Sequence, residues 1–498
     1  MSPILSHHFK DTFRALQVRN YRVYISGQVV ATIGFWLQMT ATSWLVLELT
    51  GDSGTALGTA MALQFGPFLV LSLLGGRLAD RFDKRKVLLL GGVCNVLMTS
   101  VLAITVLNGN AELWHVYLFM LCFGTTSALE GPSRQAFAAE LVDSETLPNA
   151  LALNSATFNI GRITGPAVAG LLIALTNTGV VLALNAAAWL VPIAVMVTLL
   201  GRPLHVAPRS REERKENAGI VDALRYLRTR PDLTLVLVVM LFVGGFAFNF
   251  PVTLSLLAKT EFHSGADTFG LLITSLSVGA LAGALASGKR HTRPGIYTVL
   301  GACLALGIGT TAVGFAPTFI IAMMLLVPTG FAMVFAGQSA NQRVQMGVAD
   351  RYRGRIMALY MLVFIGSTPL CAPIVGWISE MYGARAGLWL GGIVTLLTAF
   401  AAYIAKARRK STLARRATPM TEASGIAQAQ HQPVAINPPE DVTAQPGSQE
   451  DVAEELSKVD NRTRAQGWDA AEPNEFDERD QFQPQRSDSE KRSHTAPV

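Results

Sequence analysis

Long stretches free of charge alternate with short charged ones from residue 22 to residue 406. Twelve apolar runs can be marked, with approximate limits at 22–48, 54–78, 85–107, 113–140, 149–176, 178–200, 233–258, 266–288, 295–315, 317–341, 356–379 and 384–406. An α-helix needs roughly 17–25 apolar residues to cross a bilayer. The pattern therefore predicts an all-α polytopic membrane protein with 12 transmembrane helices. A polar stretch, "GRPLHVAPRSREERKENAGIVDALRYLRTRPDL", divides the runs into two sets of six, which predicts two six-helix halves. Within it Ile220, Val221, Leu224 and Leu227 recur at helical spacing, with Asp222, Arg225 and Arg228 on other faces. That predicts a short amphipathic helix lying on the membrane surface. After about residue 410 the apolar pattern stops, and Pro, Gln, Asp and Glu predominate. Such a composition predicts disorder. The expected organisation is an amino-terminal arm (1–21), a first half (22–200), a linker (201–232), a second half (233–410) and an acidic tail (411–498).

Composition agrees with that reading. Half of the 498 residues are hydrophobic and 15% are charged, against about a quarter charged in soluble chains. The formal charge of +6 hides an asymmetry. Residues 1–410 hold 32 Lys/Arg against 19 Asp/Glu, whereas residues 411–498 hold 9 against 16. In the membrane part the cations fall almost wholly in alternate loops. The 2–3 loop has five and the 6–7 loop has eight, while the intervening loops hold only Lys259 and Arg385. By the positive-inside rule this places both termini in the cytoplasm. The basic balance then suits anionic lipid, and no nucleic-acid partner is expected.

Metal, cofactor and nucleotide chemistry find little footing. Cys94, Cys122, Cys303 and Cys371 stand singly in apolar runs, and the eight histidines lack ligand spacing. Neither a disulfide framework nor a zinc site is suggested. Gly283–Arg290 nearly spells a phosphate-binding loop, but Arg290 replaces the magnesium-holding hydroxyl, and the stretch ends an apolar run. The first twenty residues lack the apolar core of a cleavable signal peptide. No cofactor and no enzymatic activity are expected.

The 2–3 loop reads "GGRLADRFDKRK", with Gly76, Asp80, Arg81, Asp83, Arg85 and Lys86 at fixed spacing. It resembles the signature loop of the major facilitator superfamily, with Asp83 where that family usually has glycine. "FRALQVRNYRVYISGQVVATIGFWLQMTATSWLVLELTGDSGTALG", "GPSRQAFAAELV", "LPNALALNSATFNIGRITGPAVAGLL" and "DRYRGRIMALY" are similar to its enterobactin-exporter and macrolide-efflux branch. The resemblance covers roughly residues 10–405. It implies that Asp80 holds the opposite half near the start of span 11 in one conformation, and that Arg81 and Arg85 hold acidic or carbonyl partners. Gly76 is expected to let two helices approach closely. Gly161, Gly165, Pro166 and Gly170 resemble part of the antiporter motif of span 5, with Ala152 and Ala169 where two of its glycines would stand. The two halves also echo one another, 144–172 paralleling 349–378, as parallel six-span repeats do.

Charges within spans are costly and mark partners or wet cavities. Arg162 is fourteen residues beyond Pro148, roughly 21 Å at 1.5 Å per residue. Glu130 is eleven residues before Leu141, roughly 16 Å deep on the antiparallel neighbour. Glu130 is thus the expected proton-coupling carboxyl. Arg162 is its expected charge modulator, and Arg134, one turn away, a competing partner. Polar and aromatic residues expected to line a substrate cavity are Gln28, Thr32, Trp36, Asn154, Phe158, Asn249, Phe250, Gln338 and Asn341. The expected function is secondary transport: export of a bulky amphipathic small molecule, a drug or siderophore, from a bacterial cell by proton antiport, as a monomer. An importer of the same fold and a non-transporting sensor that signals through the tail are the alternatives.

Overall fold

The computed structural model describes residues 14–204, 220–290 and 292–429. The expected arm is covered only from Arg14, the linker apart from 205–219, and the tail only to Ala429; the rest of these segments lies outside the described residues. The chain forms one compact unit to Pro419 and a second from Met420, of which only the helical stretch 420–429 is described. All that follows concerns the first unit.

Among the described residues the regular structure is helical. The first half comprises α1 (Arg19–Thr50), α2 (Gly54–Arg81), α3 (Lys84–Leu107), α4 (Leu113–Glu140), α5 (Leu147–Leu175) and a sixth span broken at Trp189 into α6 (Thr178–Ala188) and α7 (Leu190–Leu199). After the linker helix α8 (Ile220–Thr229) comes α9 (Pro231–Phe242), which continues through a π-helical turn, Val243–Ala247, into α10 (Phe250–Leu256) and a second such turn, Leu257–Glu261. The second half closes with α11 (Ala266–Gly288), α12 (Ile296–Gly314), α13 (Phe319–Gly347), α14 (Asp350–Gly366), α15 (Thr368–Tyr382) and α16 (Ala384–Ala429).

Eleven stretches among the described residues are long and apolar enough to cross a membrane. The remaining expected run, 113–140, coincides with α4 but is not among them; its second half carries Glu130, Arg134 and Glu140. Helix α16 runs past residue 410, where disorder was expected, to Ala429. The added segment, "STLARRATPMTEASGIAQA", holds five alanines but also Pro419, Gly425 and five Ser/Thr, so intrinsic propensity does not account for the extension. The linker holds a helix, α8, over Ile220–Thr229. Its Leu227 is buried, Leu224 is exposed, and its Tyr226 stacks on Tyr352 of α14 at 4.6 Å.

Connections of a few residues reverse the chain between spans. The described parts of the loops rich in Lys and Arg therefore share one face, called here the basic face. On the opposite face the two halves are bound together. Lys259 pairs with Asp52 at 2.6 Å and lies over the Trp44 ring, which in turn stacks on Phe269. Glu380 accepts from Ser53 Oγ and Thr55 N at 2.9 and 2.8 Å. Two helix pairs form the seams. Along α2 and α15, Gly54 and Gly58 abut the carbonyls of Gly376 and Ala372; along α5 and α11, Gly170 abuts Ala266 and Gly270 abuts Pro166. A Cβ at any of these four glycines would overlap backbone oxygen. Small residues permit such approach in membranes, where helices gain from packing and not from burial away from water.

Candidate functional site

Residues of the first half enclose a cavity of about 200 Å³. Its walls come from α1 (Gln28, Thr32, Phe35), α3 (Asn95), α4 (Phe123, Glu130, Arg134), α5 (Asn154, Phe158) and the sixth span (Trp189). The sequence expectations for Gln28, Thr32, Asn154 and Phe158 thus converge in one place. Trp36 is half-buried beside it, edge-on to Phe158 at 5.7 Å. Counting Trp36, five expected lining residues are not in this wall. Asn249 spends its amide on the Gly245 carbonyl within the π-helical turn, and Phe250 is buried in the apolar core. Gln338 and Asn341 are half-buried on α13, away from the cavity wall.

Glu130 is 5% exposed and is held by Arg134, one turn on in α4, through Oε1. Its other oxygen, Oε2, lies against Gly91 of α3, where any Cβ would overlap it. The helix backbone sets this up. An i, i+4 pair shares a face, and glycine on the facing helix leaves the carboxylate its space. Arg162 does not join them. Its Nη2 donates to Asn159 Oδ1 at 3.4 Å, and its Nε is buried with no acceptor. The depth argument treated the two spans as straight parallel rods, whereas rotation about each axis decides which side chains meet.

A buried amide cluster adjoins the cavity and was not anticipated. Gln38 Oε1 accepts from Asn185 Nδ2 at 2.7 Å and from Thr99 Oγ1 at 3.2 Å. Gln38 Nε2, Asn185 Oδ1, Trp189 Nε1 and both amide atoms of Asn95 are buried without a protein partner among the described residues. Buried polar groups are nearly always paired, so these atoms are the kind that a solute or ordered water completes. The signal was legible as Gly91, Asn95 and Thr99 at i, i+4, i+8 on an otherwise apolar helix.

The 2–3 loop places its residues in two ways. Asp83 caps α3, accepting from Arg85 N at 2.9 Å. Arg85 donates to the carbonyls of Leu199 and Arg202 at 2.9 and 2.8 Å, and Lys84 pairs with Glu140 at 2.8 Å. Asp80 and Arg81 are exposed on the basic face. The close helix approach is not at Gly76, where a Cβ would meet nothing within 4 Å. It is at Gly75, whose Cβ would meet the carbonyl of Ala128 in α4 at 2.5 Å. One residue is 100° of helix rotation, enough to turn Gly76 away from the contact. In span 5, Gly161 and Gly165 lie against Thr32 and Trp36 of α1, while Pro166 and Gly170 lie against α11.

Comparison with known proteins adds the following. The transmembrane secretion effector family matches residues 10–481. A staphyloferrin A transporter of Staphylococcus aureus is 22% identical over 395 residues, covering 79% of this chain and 98% of that relative. An enterobactin exporter of Escherichia coli is 26% identical over 372 residues, covering 70% and 85%. Among solved structures, the nucleoside transporter NupG aligns at TM-score 0.62 with 14% identity, over 77% of this chain and 99% of that one. A bacterial homologue of the lysosomal transporter Spinster, inward-facing and unoccupied, aligns at 0.60 with 14% identity, over 77% and 95%.

Proposed function

This chain belongs to the transmembrane secretion effector family of the major facilitator superfamily, and on that premise we propose that it exports a siderophore-like small molecule across a bacterial cytoplasmic membrane by proton antiport. The two relatives described above, a staphyloferrin A transporter and an enterobactin exporter by name, support the cargo. In this reading α4 is the twelfth span, the basic face is cytoplasmic, both termini lie on that side, and the monomer is the working unit. It is a transporter and not an enzyme.

The observation that carries the coupling is Glu130: a buried carboxyl on the cavity wall, with one oxygen held by Arg134 and the other against Gly91. A carboxylate is costly at that depth unless balanced. Helix α4 supplies the balance from within, and the closeness of α3 modulates it. For proton affinity to differ between the inward and outward arrangements, the exchange between them must alter the packing of α3 on α4 within the first half. A ligand or proton can shift such an equilibrium only through differential interaction with its two states. The cavity is smaller than the roughly 300–1,000 Å³ of drug-sized sites. A bulky solute is therefore seated only as the halves separate on the cytoplasmic side.

The test is proton movement in proteoliposomes on addition of cell-exported iron chelator. The unmodified protein should exchange protons for chelator, and Glu130→Gln should bind chelator yet lose exchange. An unchanged exchange ratio in the variant would move coupling away from this carboxyl. Inverted vesicles decide direction: an exporter accumulates chelator when the interior is acid.

A further inference from the structure

The first half carries a cation that the α4 ion pair does not balance. Glu130 is taken by Arg134, and among the described residues no carboxylate pairs with Arg162; its recorded partner is the Asn159 side chain.

Helical geometry fixes the side on which Arg162 lies. In α5, Gly161 and Gly165 touch α1, whereas Ile163, Pro166 and Gly170 touch α11. At about 100° per residue these contacts mark two faces roughly 150° apart. Arg162 falls between them, on the side of Phe158, one turn earlier, which lines the cavity. The remaining side presents Ile160, Val168, Leu171 and Leu175, all exposed and apolar, as a lipid-facing stripe does. Arg162 therefore faces the gap between α1 of one half and α11 of the other.

Trp36 of α1 borders the same gap. Its Cβ lies where a side chain on Gly165 would go, its ring meets Phe158, and its Nε1 is buried with no acceptor. Both groups only donate. A guanidinium offers five N–H bonds and keeps its charge, and an indole offers one N–H. Two unmet donors and one unpaired cation call for an acceptor that is itself negative. A planar guanidinium matches a carboxylate in geometry as well as charge.

We propose that Arg162 and Trp36 form an anion-recognition site for the transported solute, so that the cargo carries a carboxylate or comparable oxyanion where it crosses the midplane. This rests on the transport reading for its purpose, but its test does not use transport. Purified full-length protein in lipid nanodiscs is titrated with salicylate and with its neutral counterpart salicylamide, and binding is read by saturation-transfer NMR. Hydrogen bonds to charged groups set the expected preference for salicylate at about tenfold or more. Arg162→Gln should abolish that preference, bringing salicylate down to the affinity of salicylamide. Arg162→Lys, which keeps charge without the planar pair of donors, should retain part of it, and Trp36→Phe should weaken salicylate about threefold. The last two variants carry the test if Arg162→Gln fails to fold. Equal affinity for the two probes, binding of neither, or a preference that survives Arg162→Gln or is untouched in both other variants overturns the assignment. Because binding is measured without a gradient, a protein that binds salicylate yet moves no chelator would count against the transport reading alone.

Discussion

At the scale of single residues, the cavity shows how a glycine can govern a carboxylate across a helix interface. Gly91 owes its role to what faces it, the Oε2 atom of Glu130. Gly91→Ala should overpack this point, at a cost of about 1–3 kcal/mol. Its expected signature is a lower thermal midpoint together with altered proton exchange, whereas Gly76→Ala, which meets open space, should leave both near the unmodified values. Removing the acid outright is a harsher change. Glu130→Ala leaves Arg134, which is only half-buried and lines the cavity, without its partner, a loss below the roughly 3–5 kcal/mol of a fully buried pair; it should reduce the yield of folded protein more than Glu130→Gln, which keeps an oxygen for Arg134 to donate to.

At the scale of elements, the 2–3 loop turns a departure from the family pattern into a helix cap. Asp83 stands where glycine is usual and accepts the N–H of Arg85, the second residue of α3. Asp83→Ala should therefore cost about 0.5–2 kcal/mol, and Asp83→Gly only a few tenths, as read by chemical unfolding of the two variants side by side. Asp80→Asn is expected to cut transport severely while leaving membrane insertion intact; normal flux would reduce the loop to an anchor. The helices themselves were legible in the sequence because a span must be apolar along its whole length, which leaves a signal tied to no partner. The limits at Thr178, Ala266 and Ala384 could be read for that reason. Contacts depend instead on rotation about the helix axis and on the neighbour's identity. Hence Gly75 in place of Gly76, Arg134 in place of Arg162, and an amide cluster whose members come from three separate spans. The π-helical turn that occupies Asn249 was hidden as well, since nothing in "VGGFAFNF" separates it from ordinary helix.

At the scale of the whole molecule, the two halves meet through polar locks on the face opposite the basic loops. Asp52 is held in the left-handed region, φ 72°, directly after Gly51 at 61°, and this elbow aims its carboxylate at Lys259. Partly exposed ion pairs are worth about 0.2–1 kcal/mol. Asp52→Asn should therefore shift the closed-to-open ratio of that face by up to about fivefold. Hydrogen exchange over residues 50–56 and 257–264 should rise in the variant, and Lys259→Gln should do the same without adding to it. Additive effects would mean that the two side chains act separately.

The seams beneath those locks have a mechanical consequence. Where α2 meets α15 and α5 meets α11, the closest approaches are glycine hydrogens on carbonyl oxygens. Side chains that interdigitate act as cogs: parting them means turning each one out of its rotamer before the next can move. A glycine-faced joint has no cogs and slides with little friction. The pace of opening is then left to the few latches at its rim and to whatever the cargo does to them, so that loading and unloading, rather than the travel between, should set the turnover of the machine.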